Sequence, residues 1–276
     1  MRRDTGLGAR LWAFSIWALV IFFIVNLLAM IASVVVNSFG TRWFGTWLPA
    51  GYTDRWYAFA WEEFQLPAIL IVTVEVVGAV VLLSGLIGVP AAYAMARRDF
   101  PGKRVVLLLF LLPLLVPPIT YGIPLATVLY QAHFAGTIVG VVMANLVPTI
   151  PFVVLIMIPF VEQIDPRIEA AARVFGAGTG RLFMTVLVPL LMPGILAALM
   201  LVLVRTIAMF ELTFLTAGPT SQTLVVALYY AVFAAGVRPG QSIDAMAVVY
   251  MITTMIWLLI ALRFVNPTQI VTRAKR

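Results

Sequence analysis

The chain has 276 residues, of which 63% are hydrophobic and 11% charged, against about 45–50% and about 25% in soluble domains. So few charges cannot cover a water-facing surface, and a mean hydropathy of +1.08 agrees, so a soluble globule is excluded and lipid must be part of the solvent. A net charge of +7 fits basic loops as well as nucleic acid, and the absence of Cys with a single His, His133, leaves no basis for disulfides, thiolate chemistry, Cys- or His-based metal sites or Ser/His catalysis.

A bilayer-crossing helix needs about 20 mostly apolar residues, and the sequence predicts six such spans. The first covers about 12–36 and follows a basic start, Arg2, Arg3 and Arg10. The apolar stretch from Ile16 to Val36 is too long for a signal-peptide h-region and no Ala-x-Ala follows it, so an uncleaved span is expected. The loop at about 37–65 is rich in Trp and Tyr (Trp43, Trp47, Tyr52, Trp56, Tyr57, Trp61), which suits an aromatic belt at the interface. The second span is about 66–96 and the third about 105–129. Pro113, Pro117, Pro118 and Pro124 interrupt the third, and carbonyls freed there must face protein or a water-filled cavity, as in a pathway helix. The fourth is about 137–160, the fifth lies within about 187–210, and the sixth is about 244–264. The apolar strip Leu224–Ala235 is too short to cross and is expected to be interfacial or re-entrant.

Six spans put both termini on one side. That side holds Arg2, Arg3, Arg10, Arg97, Arg98, Lys103, Arg104, Arg167, Arg173, Arg181, Arg263, Arg273, Lys275 and Arg276, which is fourteen of the 18 basic residues. The positive-inside rule places it in the cytoplasm. The high pI of about 10.1 thus records topology, and no nucleic-acid partner is expected.

The loop between the fourth and fifth spans, 161–188, is long and patterned. Asp165 before Pro166 is a helix start, and Gly176 is a natural stop. Between them Ile164, Ile168, Ala171 or Ala172, and Phe175 follow an i, i+4, i+7, i+11 rhythm, one face of a helix. Such a helix either packs on its own bundle or presents a knob to a soluble partner.

The run from Ile164 to Ala177 resembles the EAA loop of ATP-binding-cassette (ABC) importer permeases. In that family a Glu-Ala-Ala segment leads to a Gly and then to Ile-x-Leu-Pro, where this chain has Val186, Leu187, Val188 and Pro189. Aligned on Gly176, the family's acidic position falls on Ala170, and Glu169 stands one residue early, about 100° around a helix. The resemblance runs from the second span to the sixth. It implies an all-α integral membrane fold: one permease domain over 1–276, both termini cytoplasmic, with a coupling helix between spans four and five. Expected contacts of that helix with an ATPase come from Ile168, Glu169, Ala170, Ala172, Arg173, Phe175 and Gly176. Phe175, Ile168 and Ala172 form the packing knob, Gly176 the turn, and Arg173 a salt bridge to the ATPase. The chain has no G-x-x-x-x-G-K-[ST], so no cofactor is expected in it, and ATP and Mg belong to two cytoplasmic ATP-binding subunits. Further implied partners are a second permease subunit and an extracytoplasmic substrate-binding protein, at a bacterial cytoplasmic membrane.

Charges at membrane depth are costly and point to function. Glu75 lies in the second span, Arg205 and Glu211 in or near the fifth, and Asp244 opens the sixth. Either Glu75 and Arg205 neutralise each other, or Glu75, Glu211 and Asp244 line a path for cations. The Ala-Ala-Arg-Val-Phe-Gly-Ala run, with Val-Pro-Leu-Leu-Met-Pro-Gly-Ile after it, looks like the spermidine/putrescine branch. That branch implies a polyamine-type substrate and a heterodimer of permeases. The alternatives are another solute, such as a sugar, polyol, opine or phosphonate, or a stand-alone channel or secondary transporter. No catalytic residues are expected.

Overall fold

The computed structural model describes residues 7–233 and 238–264. Arg2, Arg3, the side chain of Arg10, Arg273, Lys275, Arg276 and the last two residues of the 224–235 strip lie outside the described residues. The described residues form helices, with a single antiparallel bridge between Gly40 and Tyr52. Among the described residues five helices are long and apolar enough to cross a membrane, or six spans when the bent pair is counted as one.

The chain divides into two compact units, one of the first 65 residues with 231–249, the other of 66–230 with the part from 250 onward. In the first unit, α1 (Leu7–Phe39) exposes apolar side chains such as Phe14, Trp17, Phe22 and Phe23, as suits a helix with lipid for solvent. The loop after it is tied down by polar contacts. Trp56 Nε1 donates to the Gly40 carbonyl at 2.7 Å, and the Ser38 and Tyr57 hydroxyls lie 2.8 Å apart. Trp47 is 99% exposed, so the Trp-rich loop holds both anchored and free aromatics. The short α2 (Arg55–Glu63) closes it.

The second unit is built on α3 (Leu66–Arg97), α6 (Ile138–Glu162) and α9 (Val188–Ile207). Their core joins Val76, Val80, Val89 and Ala92 to Val153, Val154 and Met157 and to Leu191, Ala198 and Val202. Lipid removes the hydrophobic drive between helices, so close backbone approach must replace it. Gly88 provides it: a Cβ there would lie 2.7 Å from Val153 Cγ1.

The third predicted span is not one helix. It breaks into α4 (Lys103–Leu115) and α5 (Pro118–Gln131), bent by 102°. Val116 before the proline pair is pushed to extended backbone, φ −82° and ψ 134°, and Pro117 follows at φ −54° and ψ 134°. Pro118 then opens α5, where its missing N–H costs nothing. The fifth span starts earlier than predicted. α8 (Thr179–Leu182) runs through a π-helical turn, Phe183–Leu187, into α9, giving one continuous helix over Thr179–Ile207. The wider turn ends just before Pro189, whose ring cannot accommodate normal α pairing to its preceding turn. After α10 (Glu211–Thr216) comes α11 (Leu224–Phe233), as short as expected. Last is α12 (Gly240–Phe264).

Gly88→Ala should lower the thermal unfolding midpoint in detergent, since overpacking of this kind costs about 1–3 kcal/mol. Gly78→Ala, on the same helix with nothing within 4 Å of the added Cβ, should leave the midpoint unchanged or raise it.

Candidate functional site

The patterned loop folds into α7 (Pro166–Val174). Asp165 Oδ1 accepts from the Arg167 N–H at 2.9 Å, which fixes the start. At the other end Gly176 sits at φ +81°. Its N–H donates to the Arg173 carbonyl at 2.9 Å and that of Ala177 to Ala172 at 3.0 Å, the paired bonds of a Schellman stop.

The apolar rhythm does not form one face. Ile164, Ala172 and Ala177 pack inward on the core of the second unit. Ile168 is 42% exposed, Val174 85% and Phe175 90%. Of the expected knob, Phe175 and Ile168 project outward while Ala172 turns toward the chain's own helices. Arg167, Ala170 and Arg173 are exposed. Ile168 borders a cleft of ≈ 430 Å³ with Phe160, Leu190 and Pro193.

Glu169 is the buried member of α7. Its Oε2 accepts from the Tyr93 hydroxyl at 2.7 Å and its Oε1 from Arg97 Nε at 2.7 Å. Arg97 Nη2 also donates to the Ile164 carbonyl at 2.5 Å. The exposures of the two charged side chains are 16% for Arg97 and 10% for Glu169. Removing one partner of a buried pair typically costs about 3–5 kcal/mol, far above the about 0–1 kcal/mol of a surface pair. The Tyr93 ring meets Phe183 edge-on at 5.8 Å. Sequence reasoning counted Arg97 only as a topology marker and passed over Tyr93. Their spacing of four on one helix face was the available signal.

Glu75 and Arg205 do not pair, so the neutralisation reading fails. The ion pairs among the described residues are Arg97–Glu169, Lys103–Asp99 and Arg238–Glu63. Glu75 lies on an exposed face of α3. Arg205 is half-buried near the end of α9, its guanidinium 5.2 Å from the Phe152 ring centre. Glu211 opens α10. Asp244, in the first unit, accepts a hydrogen bond from the Asn37 amide, and Asn37 Oδ1 accepts from Trp43 Nε1 at 2.6 Å. A further group was missed in the sequence: Phe210, Phe214, Tyr229 and Tyr230 pack ring on ring, with centroids 5.0–5.9 Å apart. Among the described residues no three His, Asp or Glu side chains gather as a metal site requires.

The family model for inner membrane components of binding-protein-dependent transport systems matches residues 84–271. The chain belongs to that family. The molybdenum transport permease ModB of Haemophilus influenzae is 33% identical over 155 residues, 50% of this chain and 67% of that protein. ModB of Escherichia coli is 28% identical over 208 residues, 70% of this chain and 90% of that protein. The fold matches the crystal structure of a bacterial ABC transporter that imports the acidic polysaccharide alginate, with a TM-score of 0.79 at 16% identity, covering 96% of this chain and 100% of that one. This family member is therefore a multi-pass transport subunit of an ABC importer and not an enzyme.

Gly176→Ala forces an L side chain into left-handed backbone at a cost of roughly 1–2 kcal/mol. Hydrogen exchange should show the Gly176 position and Ala177 amides losing about 5–30-fold in protection. Gly178→Ala, at φ −66° with open space around it, should not change it.

Proposed function

We propose that α7 is the cytoplasmic coupling helix of this permease and docks in a groove of an ATP-binding subunit. The observation that carries the reading is Phe175: a large aromatic 90% exposed, beside a firm helix stop. Both chain ends then lie in the cytoplasm, ATP and Mg sit on the ATPase subunits, and an extracytoplasmic binding protein delivers the solute. The outward side of α7 offers Phe175, Val174 and Ile168 with two cations, Arg167 and Arg173. The complementary groove is apolar with an acidic rim.

For the solute, we infer a small oxyanion of the molybdate class. Arg205 is a half-buried cation in a spanning helix with no carboxylate within ion-pair reach among the described residues. Arg205 and Glu211 both face Tyr121 without forming an ion pair, and a cation left unpaired at that depth favours an anion in the path. The ModB relatives support it by name. The polyamine reading loses its footing, because the relatives are named for molybdenum, sulfate and diacetylchitobiose transport. A second, different permease subunit completes the path, as the family implies. The aromatic cluster of Phe210, Phe214, Tyr229 and Tyr230 supports a second reading, a saccharide stacked on rings.

In the assembled importer, Phe175→Asp should release the ATPase subunits on purification, while the permease still inserts and folds. Retention of the ATPase would sink the docking role. Arg205→Gln should cut uptake of radiolabelled molybdate by about tenfold or more, with Arg205→Lys intermediate. Uptake of an oligosaccharide or spermidine in place of molybdate by the unaltered importer would overturn the oxyanion reading.

A further inference from the structure

We infer that Glu169 is a positioning residue that transmits the ATPase stroke to the membrane helices, and that it does not touch the ATPase. This rests on the reading of α7 as the docking helix and goes beyond it by assigning the linkage on the membrane side. The family's acidic position is Ala170 here, and it is exposed. The one carboxylate of α7 is instead buried against α3. Both of its oxygens are taken, Oε2 by Tyr93 and Oε1 by Arg97, each at 2.7 Å. The donors stand one turn apart on the same face of α3. Arg97 holds a second point of the moving element, the Ile164 carbonyl just before the α7 cap. Tyr93 in turn abuts Phe183 in the π-helical turn that feeds α9.

A push on α7 therefore reaches α3 through two charge-assisted or hydroxyl bonds and α9 through one ring contact. Apolar packing alone permits sliding. A carboxylate held at both oxygens fixes orientation as well as distance, so displacement of the helix is carried and not absorbed.

The test is the full importer, with its ATPase subunits, second permease and binding protein, reconstituted in liposomes. Three quantities are read: ATPase retained on purification, ATP hydrolysed, and solute transported per ATP. Glu169→Gln and Arg97→Lys should keep the ATPase bound and hydrolysing. Solute transported per ATP should fall about tenfold, within the usual range of a coupling free energy. Tyr93→Phe removes the hydroxyl's bond to Glu169 and its contact with Arg173 without changing charge, and should lower the ratio by about fivefold; it serves where Glu169→Gln fails to assemble. An unchanged ratio in Tyr93→Phe or Glu169→Gln overturns the proposal. So does loss of ATPase from the Glu169→Gln complex comparable to that in Phe175→Asp, which would make Glu169 a docking residue. Retention of the ATPase in Phe175→Asp defeats the docking reading by a separate measurement, so the two failures are distinguishable.

Discussion

Helices dissolved in lipid gain nothing by hiding apolar surface from apolar tails, so their association must come from close packing and from hydrogen bonds. In the second unit α3 packs closely on α6, where Gly88 leaves no room for a Cβ against Val153. Much else hangs on the position of α3. Its Thr73 Oγ1 accepts the Leu224 N–H at 2.9 Å, which gives the first turn of α11 a partner. Its last turns present Tyr93 and Arg97 to α7. A shift of α3 by one side-chain width would unseat both. Gly85 and Gly88 of α3 are thus placed by the geometry of contact and not by helix propensity, which disfavours glycine.

The same solvent dictates how the irregular segments are built. Non-helical backbone at membrane depth survives only where its polar groups find protein partners. The stretch between α10 and α11 meets this through neighbours: the Gly136 N–H donates to the Thr216 carbonyl at 2.8 Å, and Ser221 Oγ donates to the Gly136 carbonyl at 2.9 Å. Gly218 has to be glycine for this approach, since a Cβ would lie 2.8 Å from the Gly136 oxygen. Inside the core, Asn145 Nδ2 reaches both the Val141 carbonyl at 2.9 Å and Thr213 Oγ1 at 3.2 Å, linking α6 to α10. Polar side chains here act as fasteners between helices.

Spans, caps and breaks were legible in the sequence because they depend on local chemistry. Hydropathy placed the first, second, fourth and sixth spans to within about five residues but missed the early start of the fifth at Thr179, and Asp165, Pro166 and Gly176 marked α7 as the structure has it. Val116-Pro117-Pro118 signalled an interruption, though not that it would turn the chain by 102°. What the sequence hid were relations between helices. The i, i+4 rhythm of α7 could not say that Ala172 would face inward and Phe175, at the helix stop, outward. Glu75 and Arg205 invited pairing by sign alone, yet Glu75 is exposed on α3 and Arg205 lies over the Phe152 ring. The aromatic cluster at α10 and α11 draws on residues from two short helices, and no single periodicity contains it.

The placement of one carboxylate decides the electrostatics of α7. With Glu169 turned to Arg97 and alanine at 170, the nine-residue helix presents Arg167 and Arg173 but no acid of its own to the outside. Those exposed cations are screened beyond about 8 Å at physiological salt, and rim charges chiefly set encounter rate and choice of partner. Affinity must come from a buried anchor, usually an aromatic seated in a pocket, and Phe175 is the side chain shaped for it. Arg97 is withdrawn from that surface by its internal pair. The helix thus separates two tasks that a single outward carboxylate would have combined. In the proposed docking, Phe175 and the cations recognise the ATPase, and Glu169, held by Tyr93 and Arg97, fastens the recognised element to α3.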